Sequence, residues 1–117
     1  MSTKLLSTQY FMLFLLLAVV APAFANPAHK ILSDMSEQER ARAMTGFLRK
    51  SGESCGSATR TFYQGSEKNG NAHWAVACKN GRSYLVQIMN DSVGSTRILD
   101  CKVLKAVAGS ECFKKYK

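Results

Sequence analysis

Four cysteines, Cys55, Cys78, Cys101 and Cys112, follow a stretch that reads as an export leader, and together these features bound what the chain can fold into. Lys4 opens a short basic region, residues 10–20 are almost wholly apolar, and Ala23-Phe24-Ala25 offers a small-x-small peptidase site. Cleavage after Ala25 leaves Asn26–Lys117. A retained membrane anchor is the alternative. The apolar run is shorter than the about 20 residues a span requires, and no basic stop-transfer flank follows Ala25. No cysteine stands at the cut to take a lipid. The expected location is the periplasm or the outside of the cell, where cysteines pair as disulfides rather than persist as thiols.

The organisation expected is residues 1–25 as signal peptide, 26–35 as a flexible lead-in and 36–117 as one disulfide-stabilised domain. A domain of this size buries about 60–70% of its unfolded-chain surface, so cross-links add usefully to a modest core. The formal net charge is +8, one unit less once Lys4 departs. One reading of that charge is a solvated surface. The other is an acidic partner: an anionic envelope component or an acidic protein. Nucleic acid is not expected in that compartment, nor is a membrane span after processing.

Ser36 and Glu39 have capping-box spacing, which starts a helix. Ala41, Met44, Phe47 and Leu48 make its apolar stripe, acidic residues lead, basic residues close, and Gly52 ends it. Beyond Cys55 the pattern alternates. Residues 59–64, 72–79, 82–89 and 96–99 read as four strands, and Asn80-Gly81 is a strong hairpin signal. A two-residue loop there pairs Val76 with Leu85 and Ala77 with Tyr84. That register puts Trp74, Val76, Leu85 and Met89 on the helix side, with Tyr84, Val86 and Ile88 on the other face. Asp100 caps a short terminal helix that stops at Gly109. The fold expected is α+β: an N-terminal helix packed on a four-stranded antiparallel meander, a short C-terminal helix and two disulfides.

Meander order narrows the cysteine pairing. Cys78 and Cys101 close strands separated by a third, about 9.5 Å apart, beyond the reach of a disulfide. Cys55 with Cys78 and Cys101 with Cys112 are the expected bridges. Each is worth about 3 kcal/mol on the chain-entropy model. The spacings suit neither a zinc site nor a redox Cys-x-x-Cys pair, and no metal or cofactor is expected.

No catalytic residues emerge. His29 and His73 are the only histidines, the first in the lead-in and the second in a strand. No nucleophile elbow, phosphate loop or zinc-protease motif is present. Tyr63 and Tyr84 are candidates for an aromatic binding platform, with core packing as the alternative, which Trp74 favours more strongly. Arg60, Lys79 and Arg82 are candidates for a basic rim, the last two flanking the hairpin tip, where solvated charge is the alternative.

The stretch Trp74-Ala-Val-Ala-Cys-Lys-Asn-Gly-Arg-Ser-Tyr84, with Leu99-Asp-Cys101 and Cys112-Phe113, resembles small exported bacterial proteins of uncharacterised function. That resemblance covers the C-terminal half and implies no activity. The Cys78-x-x-Gly81-x-x-Tyr84 hairpin is similar to one in secreted lysozyme inhibitors, whose inhibitory loop motifs this chain lacks. The function expected is therefore an exported non-enzymatic binding or accessory module. A small exported enzyme or enzyme inhibitor is the alternative.

Overall fold

The computed structural model describes residues 26–116. The expected leader, residues 1–25, lies outside the described residues. Two helices, α1 (Pro27–Asp34) and α2 (Glu37–Lys50), precede strands β1 (Ala58–Ser66), β2 (Ala72–Cys78), β3 (Ser83–Ile88) and β4 (Thr96–Asp100), and α3 (Cys101–Ala108) follows. The strands form one antiparallel sheet in the order β1-β2-β3-β4. The expected α+β architecture and both expected disulfides are present, with Cα separations of 5.5 Å for Cys55–Cys78 and 5.9 Å for Cys101–Cys112.

Local chemistry explains the elements. The Ser36 hydroxyl oxygen accepts from Glu39 N at 3.2 Å and opens α2. Gly52, at φ +78°, closes it as Glu53 N returns to Leu48 O. Asp100 accepts from Lys102 N at 2.8 Å to start α3, and left-handed Gly109 stops it.

Two expectations are corrected. The lead-in is helical: Asn26 caps α1, its Oδ1 accepting from His29 N and its Nδ2 donating to Gly70 O and Ile88 O at 3.0 and 3.1 Å. These bonds pin α1 across the turn ends of the sheet. The hairpin register also differs, by one residue. Cys78 N donates to Arg82 O and Gly81 N to Cys78 O, so the loop holds three residues, 79–81, with Gly81 at φ +86°. Val76 consequently pairs with Tyr84, and Ala75 with Leu85.

A slip of one residue moves alternate side chains to the other face. Tyr84, Val86 and Ile88 therefore join Trp74 and Val76 beneath α1 and α2, where Leu32, Met44 and Leu48 complete the main core. Leu85 faces the other way with Ala75. There α3 and the C-terminal segment cover it through Leu104, Cys112 and Phe113, with Phe62 alongside.

The outer edge of β1 is occupied. Ala58 N donates to Thr45 Oγ1, Thr61 N to Glu37 Oε1, and Tyr116 N to Gln64 O. An edge so engaged is a poor template for another strand.

Candidate functional site

The hairpin exit, the first turns of α3 and the C-terminal segment enclose a cleft of about 660 Å³. The three-residue turn brings Arg82 and Ser83 to one wall. Lys102, Val103 and Lys105 of α3 form the second, and Glu111, Cys112 and Phe113 the third. The Cys101–Cys112 bridge ties the second wall to the third, and Gln64 Nε2 donates to the carbonyls of Glu111 and Cys112 from behind.

The charges are unevenly committed. Lys105 Nζ pairs with the Glu111 carboxylate, and the hydrogen bond and charge of that ammonium hold Glu111 below the usual carboxylate range. Asp100 is engaged in capping α3. Among the described residues Arg82 and Lys102 make no ion pair. Val103 leaves 48% of its surface exposed beside them. The cleft thus offers two uncommitted cations next to an apolar wall.

Lys79 is exposed at the hairpin tip but does not line the cleft, whereas Arg82 does. Tyr84 is fully buried in the main core, a direct result of the register. Tyr63 is half-buried on the helix face, its ring 4.7 Å from that of His29 and 5.2 Å from that of Trp74. The structure therefore brings neither tyrosine to the cleft. Lys102, Lys105, Glu111 and Phe113 were absent from the sequence-based candidates. The signal for them was the expected Cys101–Cys112 bridge, which obliges the residues around both cysteines to be neighbours.

Two polar clusters lie elsewhere. Trp74 Nε1 donates to His29 Nδ1 at 3.0 Å, which fixes the neutral imidazole with its proton on Nε2. Burial lowers the pKa of His29 in keeping with that tautomer. Arg40 closes this cluster, its guanidinium 4.8 Å from the Trp74 ring centre. On the opposite sheet face, the Tyr116 phenol bonds His73 Nδ1, and His73 Nε2 lies 3.1 Å from Glu67 Oε2. Gln87 Nε2 also donates to that carboxylate at 2.8 Å. Hydrogen bonds from His73 and Gln87 lower the Glu67 pKa, while burial raises that of Tyr116.

Among the described residues no group of three or more His, Cys, Asp or Glu side chains has metal-binding geometry, and no helix is long and apolar enough to cross a membrane. Comparison with protein-family models, curated proteins and solved structures finds no match to this chain.

Proposed function

We propose that this protein is an exported, non-enzymatic binding module whose basic cleft takes an acidic ligand, drawn from an anionic envelope component or an acidic protein. The observation that carries the reading is the convergence of Arg82 and Lys102, both without an acidic partner among the described residues, on a cleft of about 660 Å³. That volume lies within the about 300–1,000 Å³ of small-ligand clefts. Two disulfides suit a protein that works in an oxidising compartment.

The test is titration with polyglutamate, a sulfated glycan and octanoate, each at low and at physiological salt. Saturable binding of at least one anion is expected. It should weaken as salt screens the contacts, and at least tenfold in the Arg82→Glu, Lys102→Glu double variant. Lys79→Glu, outside the cleft, serves as control. Failure of every anion to bind, or equal binding by both variants, removes the cleft from function.

One observation favours the enzyme alternative: Tyr116, His73 and Glu67 form a phenol–imidazole–carboxylate chain, an order that orients an imidazole for proton transfer. Neither the cleft beside α3 nor a smaller hollow between α2 and the start of β1, lined by Glu37, Arg42 and Thr59, reaches these residues. Their hydrogen bonds serve to fasten the C-terminal segment across β1.

A further inference from the structure

We infer that the ligand of this cleft is a small amphiphile, one anionic head on an apolar chain, rather than a polyanion. The inference rests on the binding role proposed above and narrows it.

The charge balance within the cleft decides between the two classes. Arg82, Lys102 and Lys105 line it together with Asp100 and Glu111. Lys105 and Glu111 neutralise each other, and Asp100 offsets one of the remaining cations, which leaves a single positive charge in excess. An extended polyanion entering here meets two carboxylates as well as the cations. One carboxylate or phosphate head needs only Arg82 and Lys102. The Arg82 fork suits two oxygens of one head group, and the Lys102 ammonium supplies a second, freely oriented donor.

Apolar surface accounts for the rest of the ligand. Val103 lines the cleft at 48% exposure, and Phe113 and the Cys101–Cys112 bridge form the adjoining wall. Val107, one turn further along α3, is 75% exposed and continues the strip past the mouth. An alkyl chain laid along Val103 and Val107 removes from water the apolar surface that the fold leaves exposed there. A head with no such chain leaves this strip uncovered.

The experiment is an amide-resolved NMR titration of the mature protein with octanoate, against acetate (head alone), octanol (chain alone) and polyglutamate. Octanoate is expected to shift the resonances of Ser83, Val103 and Phe113 saturably, while acetate and octanol at the same concentration do not. Decanoate, with two more methylenes, is expected to bind about fifteenfold tighter, at about 0.8 kcal/mol per buried methylene. Octyl phosphate in parallel tells a phosphate head from a carboxylate, and preference for either supports the inference.

Arg82→Ala with Lys102→Ala is expected to weaken octanoate at least tenfold. Val103→Thr, which keeps shape and charge, is expected to weaken it severalfold while retaining the chain-length preference for decanoate. Equal binding of acetate and octanoate, loss of the chain-length dependence, or shifts centred away from the cleft would overturn the inference. Polyglutamate binding these residues more tightly than decanoate overturns it too, while leaving the broader anionic reading intact. Silence from every probe ends both.

Discussion

Replacing Arg40 by Met tests how α1 is held to the rest of the domain. The Arg40 guanidinium donates to Leu32 O at 2.8 Å and Met35 O at 2.7 Å, gathering the carbonyls at the C-terminal end of α1. It also donates to Glu37 Oε2 at 3.0 Å and covers Trp74, with 14% of the side chain exposed. Each short bond from a charged donor is worth about 1.5–3 kcal/mol. In the variant Leu32 O keeps its bond from Met35 N, and Met35 is only partly buried, so the lower end of that range applies to each. The cation–π contact adds about 0.5 kcal/mol. The pair with Glu37, which is half-exposed, adds little. Met keeps the alkyl packing, so the expected loss is about 3.5 kcal/mol. Urea denaturation with disulfides intact, followed by the fluorescence of Trp74, the only tryptophan, measures it. With a slope of about 1.5 kcal/mol per molar urea, the midpoint falls by about 2 M. Arg42→Met on the exposed face of α2 is the control, expected within about 0.5 kcal/mol of wild type. A fall for Arg40→Met no larger than the control's refutes the reasoning, because α1 would then be held by its apolar contacts and the bonds of Asn26 and His29, without help from Arg40.

Stability should also depend on His29. Its folded pKa is lowered by burial, so the unfolded chain binds that proton more readily. Its contribution is therefore complete above about pH 6.5, the unfolded value, and is lost as pH falls toward the folded pKa. Denaturation midpoints across pH 5–8 for wild type and His29→Gln measure this, and parallel curves would count against it. At Gly65 the backbone has φ +147°, and an added Cβ falls 2.7 Å from Tyr116 Cδ2. Gly65→Ala is expected to lose about 1–3 kcal/mol and to speed carboxypeptidase removal of the C-terminal residues. An unchanged cleavage rate would show that Tyr116 is not seated over this glycine.

The parts legible in the sequence were those decided by neighbouring residues. Ser36 and Glu39 mark the start of α2, alternation marks the strands, and Asp100 with Gly109 brackets α3. The bridges followed because meander order leaves Cys78 and Cys101 on non-adjacent strands. The register was not legible, because Asn-Gly serves two turns. A two-residue type I′ turn needs positive φ at both Asn80 and Gly81, whereas the three-residue turn needs it only at the glycine. No described non-glycine residue has positive φ, and the extra loop residue sent Tyr84 inward. Helix α1 escaped because eight residues give too short a period to read, although Asn26-Pro27 is a proper cap and first-turn pair.

The cleft was invisible for a different reason: its charges come from segments that only the Cys101–Cys112 bridge and the sheet bring together. The same restraints have a consequence for binding. The C-terminal wall is held by the disulfide, by Gln64 Nε2 on the carbonyls of Glu111 and Cys112, and by Tyr116 N on Gln64 O. Opposite it, Arg82 leaves a tight turn whose backbone is bonded on both sides, at Cys78 N and through Asn80 Oδ1 on Arg82 N. Walls fixed in this way need little ordering when a ligand arrives, and ordering costs are a main drain on affinity. The side chains of Arg82 and Lys102 are the flexible exceptions, each long and solvated. A ligand that immobilises both must offset their lost rotamer freedom with contacts elsewhere, and the exposed surfaces of Val103 and Val107 on the rigid face of α3 are where such contacts are to be had.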